Sequence, residues 1–157
     1  MSARKNKETI RRVMNMVNSG DLSGLNELCA DNVVYRSSAG EEFHGVDGLK
    51  DLVSEYRNAF SNFEISLEDI VAEENMAFFI YRQMGTHTGE LMGIKPSNQK
   101  MDFPIAAMVK FKNGKVVEQY DTYDTLELLK QLDAVSNQVR PGGSDWPTGG
   151  MKLRPQG

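Results

Sequence analysis

The sequence predicts an α+β domain in which a mainly antiparallel sheet buries one face against helices from the first part of the chain. Three observations carry this. The hydrophobic period is near 3.6 residues up to Phe60 and changes to 2 after it. The alternating segments that follow are joined by turns and one loop, with no helical pattern between them. Asn113-Gly114, set between two such segments, is the strongest hairpin signal in the chain, because both residues accept the positive φ of a type I′ turn.

Lys5–Ser19 places Ile10, Val13, Met14 and Val17 on one stripe of a helix, and Gly20 ends it. Asp21 can cap a short second helix using Leu22, Leu25 and Leu28, with Cys29 beside them on its apolar face. Asn32–Arg36 (NVVYR) reads as a short strand and Ser37–Glu42 as a turn or loop. A third helix over Asp47–Phe60 carries Leu49, Leu52, Val53, Tyr56 and Phe60 as its stripe.

Asn62–Val71 is then a strand, since Phe63, Ile65 and Leu67 alternate with polar residues. Glu73-Glu74-Asn75 makes a turn. Met76–Thr88 is a long strand rich in aromatic and β-branched residues, and Gly89–Gln99 a loop. Lys100–Lys112 is a further long strand in which Pro104 predicts an edge or bulge position, because proline has no N–H for the ladder. Lys115–Tyr123 is the last strand and Thr125–Leu132 the last helix. A sheet of this kind, strongly curved around its helices, makes a cone with an internal pocket. From 135 to 157 the segment is rich in proline and glycine and has no period, so the domain is expected to span 1–134 and the rest to be irregular, either disordered or laid over a surface with Trp146 as anchor.

The 157 residues suit one domain with a proper core, and the formal net charge is −4. No basic surplus points to nucleic acid; the local cluster Arg4, Lys5, Lys7, Arg11 and Arg12 reads as a solvated helix face. No apolar run approaches the roughly 20 residues of a membrane span, and MSARKNKETI lacks the apolar core of a signal peptide. One cysteine, Cys29, leaves no intrachain disulfide and no cysteine metal cluster. A cytoplasmic protein is the simplest expectation, with Cys29 as buried filler.

Three segments together resemble the SnoaL-like polyketide cyclase (ester cyclase) family of the NTF2-like, cystatin-like superfamily. They are Phe43-His44-Gly45-Val46-Asp47-Gly48-Leu49 with the helix ending Tyr56-Arg57-Asn58-Ala59-Phe60; Gly85-Thr86-His87-Thr88-Gly89-Glu90-Leu91-Met92-Gly93-Ile94-Lys95-Pro96; and Asn113–Tyr120 followed by Asp124–Leu132. The resemblance implies an NTF2-like cone and a cyclase or isomerase that works by acid–base catalysis without cofactor or metal, the family's known reaction being an intramolecular aldol condensation of a polyketide ester. It also implies a hydrophobic carbonyl ligand and a homodimer formed through the outer sheet face. The alternatives are a non-catalytic small-molecule-binding protein and a protein-interaction module of the same fold. The chain departs from the family at Lys95-Pro96-Ser97-Asn98, where Pro-Pro-Thr-Gly is usual, and at Tyr120, where tryptophan is usual.

Aldol chemistry needs a base beside a carbonyl and a donor for the enolate. Asp124 matches the family's aspartate and shares strand parity with Tyr120, so it is the expected base; it also begins the capping box Asp124-Thr125-Leu126-Glu127, which explains an aspartate there without chemistry. Asp121, of opposite parity, is expected to face solvent. His87, in register with Phe79, Tyr81 and Gln83, is the expected proton relay or enolate donor, beside the plainer reading of a buried hydrogen-bonded histidine. Tyr120, His44, Met92, Phe103 and Tyr56 are expected to line the substrate site. His44 and His87 lack metal-ligand spacing and have no third ligand, so no metal and no cofactor are expected.

Overall fold

The computed structural model of the chain describes residues 2–135. Its elements are α1 (Ala3–Ser19), α2 (Leu25–Leu28), β1 (Cys29–Ser37), β2 (Glu42–His44), α3 (Gly45–Ala59), β3 (Phe60–Ala72), β4 (Met76–His87), β5 (Lys100–Lys112), β6 (Lys115–Thr122) and α4 (Thr125–Gln131). The strands form one open sheet in the order β2-β1-β6-β5-β4-β3. Every neighbouring pair is antiparallel except β1 with β6. Residues 136–157, including Trp146 and nearly all of the expected tail, lie outside the described residues.

Helices α1 and α3 cover the concave face of the sheet, and their placement is fixed by polar side chains at their ends. The Ser2 hydroxyl accepts from Lys5 N and caps α1, while Gly20, at φ 77°, ends it in the left-handed conformation that glycine adopts without strain. Asn6 donates to the carbonyls of Glu73 (2.7 Å) and Glu74 (3.0 Å), tying the start of α1 to the β3–β4 turn. Asn18, near the other end, exchanges two 2.8 Å hydrogen bonds with the backbone of Ile65. Arg57 of α3 donates to the Val17 and Asn18 carbonyls, groups a helix leaves unpaired at its C-terminus. The two covering helices are thereby clamped to one another.

Several expectations change. The second helix is one turn only, because Asp21 accepts from Ser23 N and Oγ in a local turn instead of capping Leu22. Cys29 opens β1 rather than lying on a helix. The expected loop at Ser37–Glu42 leads into an additional edge strand, β2, with Val34, Tyr35 and Arg36 opposite His44, Phe43 and Glu42. Pro104 lies on a strand with two neighbours, but the β5–β6 ladder begins only at Ala106. The backbone of Asp102 on that same side is taken up by the Gln131 side chain of α4, so the proline sits where the strand is locally an edge.

One irregularity decides which side chains of β6 face inward. Phe111 pairs with Val116 and Lys110 with Glu118, so two steps on β6 match one on β5. This bulge at Val117 reverses the alternation. Inward positions run Val116, then Gln119, Asp121 and Tyr123, rather than continuing through 118, 120, 122 and 124.

Candidate active site

A cavity of about 110 Å³ lies between the concave sheet face and helices α1 and α3. Its walls are mostly apolar: Ile10, Val13, Met14 and Val17 from α1, Leu49, Leu52 and Val53 from α3, and Val33, Ile65, Phe79 and Ile105 from the strands. Its polar lining is Tyr35, Tyr56, Tyr81, Gln83, Gln119, Asp121 and Tyr123, with no lysine, arginine or histidine among the described residues.

Among the described residues Asp121 is the only carboxylate in that lining, and it is 1 % exposed. The expectation that it faces solvent is therefore corrected, and the bulge at Val117 is the reason. Its Oδ2 accepts from the hydroxyls of Tyr81 (2.7 Å) and Tyr35 (3.0 Å), and its Oδ1 from Gln119 Nε2 (2.8 Å). Burial pushes its pKa up from 3.8 to about 6, against the three donors, which favour the ionised form. Burial and the neighbouring carboxylate push both tyrosine hydroxyls well above the usual phenol range, so they stay protonated and donate.

A second carboxylate stands behind the cavity wall. Glu41 Oε2 accepts from Ser37 Oγ (2.7 Å) and Tyr123 OH (3.0 Å), and Oε1 from Tyr56 OH (3.3 Å). The turn carrying Glu41 is stitched to the end of β6: Ser38 N donates to the Asp121 carbonyl (2.9 Å) and Tyr123 N to Ser38 Oγ (3.2 Å).

Gln83 is buried, and among the described residues its side chain hydrogen-bonds only the Met101 sulfur at 3.8 Å, a weak acceptor. Its amide is the least committed donor in the cavity. Cys29 also lines it, with burial pushing the thiol up to about 11, so it is an inert wall rather than a nucleophile.

The structure brings few of the expected residues to this cavity. Tyr56 lines it. Phe103 is buried just behind it, with its ring 5.5 Å from that of Tyr123. Asp124 is exposed and caps α4, its Oδ1 accepting from Glu127 N at 3.0 Å. β6 has already ended at Thr122, so strand parity no longer governs where Asp124 points. Tyr120 faces outward, 39 % exposed. Met92 is exposed at the tip of the 88–99 loop, and His44 lies on the surface with Nε2 2.8 Å from Glu42 Oε1. None of these four lines the cavity.

His87 shares the inward face of β4 with Phe79, Tyr81 and Gln83 but lies beyond the cavity's end. Fully buried, its ring rests on Phe60 at 5.3 Å. Its Nδ1 accepts from Ser97 N (3.2 Å) and meets Ser97 Oγ (2.9 Å), which anchors the 88–99 loop; burial holds its pKa below the usual histidine value. Among the described residues no group of three or more His, Cys, Asp and Glu side chains is placed to hold a metal, and no helix is long and apolar enough to cross a membrane.

The family model described as SnoaL-like polyketide cyclase matches residues 7–132. Among curated proteins, no sequence matches the chain significantly. Among solved structures, a candidate SnoaL-like polyketide cyclase from Jannaschia sp. CCS1 superposes with a TM-score of 0.77 at 19% identity, over 85% of this chain and 95% of that one. AclR, a candidate hydroxylase from Streptomyces galilaeus, does so with 0.74 at 26% identity, over 87% and 85%. IdmH, a candidate polyketide cyclase from Streptomyces antibioticus, does so with 0.68 at 26% identity, over 81% and 97%. The fold is the NTF2-like cone.

Proposed function

The chain belongs to the SnoaL-like polyketide cyclase family, and from that premise we propose that it is a cofactor-free cyclase or isomerase acting by acid–base catalysis on a hydrophobic, uncharged carbonyl compound. The observation that carries this reading is Asp121, a lone cavity carboxylate, buried, hydrogen-bonded and raised to about 6. Such a group is mostly ionised at neutral pH yet far more basic than an exposed aspartate.

Asp121 Oδ1, which has one partner, takes the proton from the carbon beside the carbonyl. The C–H electron pair moves into the C–C bond and the carbonyl pair onto oxygen, where Gln83 Nε2 donates to the enolate. In a cyclisation, the enolate carbon forms a bond to a second carbonyl of the same molecule, and the resulting alkoxide recovers the proton from Asp121. No proton or electron is gained or lost overall. The apolar walls and the absence of a cationic lining residue favour an uncharged hydrophobic ligand. A cytoplasmic location belongs to the same proposal, supported by a single, buried cysteine.

The test does not need the natural substrate. Exchange of the α-hydrogens of 2-tetralone in D2O, followed by NMR, should be accelerated by the protein above buffer. Asp121→Asn should lower that acceleration by about 10²- to 10⁴-fold, the usual worth of a positioned base, while Asp124→Ala should retain it. The reverse pattern would return the base to Asp124.

The convex sheet face supports a homodimer. Val71, Phe78, Met108 and Tyr120 are directly opposite one another across β3, β4, β5 and β6 and form one apolar row. Val71 and Phe78 are 62 % and 50 % exposed. Ion pairs Arg82–Asp102 and Lys110–Glu118 flank the row with both signs of charge, a pattern that a second copy related by a two-fold axis can complement. Light scattering should give twice the chain mass, and Phe78→Glu should halve it; a single-chain mass for the unaltered protein would reject the dimer.

A further inference from the structure

The hydrogens of all four cavity tyrosines are already committed. Tyr35 and Tyr81 give theirs to Asp121, and Tyr56 and Tyr123 give theirs to Glu41. A carboxylate can only accept, so the direction of each bond is forced. What these tyrosines can still offer a ligand is oxygen lone pairs.

We infer that Glu41 is a specificity-determining residue: by taking the hydroxyl hydrogens of Tyr56 and Tyr123 it makes that end of the cavity a reader of hydrogen-bond donors, and so selects substrates bearing a hydroxyl, phenolic or enolic, there. This rests on the reading of the cavity as the substrate site. Glu41 touches no cavity space itself; it acts through the two tyrosines. Its position is well held. Ser37 donates to it, Ser37 N bonds the Glu41 carbonyl (3.0 Å), and the turn is bonded to the backbone of Asp121. Tyr56 comes from α3 and Tyr123 from the segment after β6, so Glu41 orients hydroxyls from two separate elements. The two carboxylates divide the site. Asp121 is the base, and the Glu41 end, closed to carbonyl oxygens for want of a free donor, directs the reacting carbonyl toward Gln83.

The test is binding selectivity, measured by NMR or fluorescence titration with 2-naphthol, which donates, and 2-methoxynaphthalene, which only accepts. Removing the acceptor in Glu41→Leu releases at least one tyrosine hydrogen, since of the two neighbouring hydroxyls one can then donate to the other. The affinity for 2-methoxynaphthalene should then rise about three- to tenfold, the worth of one net hydrogen bond, without an equal gain for 2-naphthol. General damage to the site would weaken both, so a gain is a signature a structural role does not produce. A folded Glu41→Leu protein whose 2-methoxynaphthalene affinity is unchanged or weaker overturns the inference. If that variant fails to fold, the Tyr56→Phe, Tyr123→Phe double variant serves. There the preference of the unaltered protein for 2-naphthol should shrink by a similar factor, and its retention overturns the inference. Neither reading depends on turnover, so loss of the Asp121 assignment in the exchange assay and loss of this selectivity are separate results.

Discussion

Asp121→Asn should make the protein more stable, and only above a defined pH. In the unfolded chain Asp121 ionises near 3.8, and in the fold near 6. Between those values the native state holds a proton that the unfolded state has released, so native stability falls as pH rises. Below 3.8 the group is neutral in both states and costs nothing. Above 6 it is ionised in both, and the fold carries the whole cost of keeping the charge buried. At 1.36 kcal/mol per pKa unit that cost is about 3 kcal/mol. Asparagine keeps an acceptor for Tyr35 and Tyr81, and its amide can face the Gln119 oxygen after that side chain turns over. It therefore removes the charge while leaving the pocket filled. Urea unfolding of both proteins at pH 3.5, 5 and 8 should show a difference near zero, then about half, then about 3 kcal/mol in favour of Asn. Either a less stable Asn variant at pH 8 or a difference that does not change with pH would refute the claim that a desolvated charge sits at Asp121.

Two further outcomes follow from the hydrogen bonds around the two aspartates. Tyr81→Phe removes a 2.7 Å donor from the Asp121 carboxylate and destabilises its ionised form. At about 1.5–3 kcal/mol for a hydrogen bond to a charged group, the Asp121 midpoint should rise by about one to two pH units, read by carbon-13 NMR of the side-chain carboxyl; an unchanged or lower midpoint would show that the tyrosine does not support the charge. Asp124→Ala should cost about 1 kcal/mol through loss of the α4 cap, with the Asp121 midpoint unmoved; a neutral effect on unfolding would mean that the cap contributes nothing to the fold.

Local patterns carried most of the fold. Lys5–Ser19 has a wide apolar stripe and a glycine stop, and the helix observed there differs only by two residues at its start. Asn113-Gly114 joins β5 to β6 with both residues at positive φ. The capping box at Asp124 is a contact between residues three apart, and it formed as the pattern requires. Strand β2 has no sequence signature, because three residues are too few for an alternation to be visible and its partner β1 is supplied by the sheet.

The site was another matter. Strand parity puts Asp121 and Tyr120 on opposite faces, as the structure has them, but a parity rule says which residues share a face and not which face is inside. Gln119, Asp121 and Tyr123 do alternate in the sequence, and that was the available signal. The bulge at Val117 that turns them inward arises from pairing with β5 and leaves no mark among β6's own residues.

The sequence by itself determined the α+β class, the long strands, the closing hairpin and the cap on the last helix, because each rests on contacts within a few residues or on a period repeated along one element; the family rests on the likeness of whole segments. Only the tertiary structure decided which carboxylate faces the cavity and which hydroxyls Glu41 holds. The groups around Asp121 come from positions 35, 81 and 119, and those around Glu41 from 37, 56 and 123. Their meeting depends on sheet order and on one extra residue in one strand, and no local pattern encodes either.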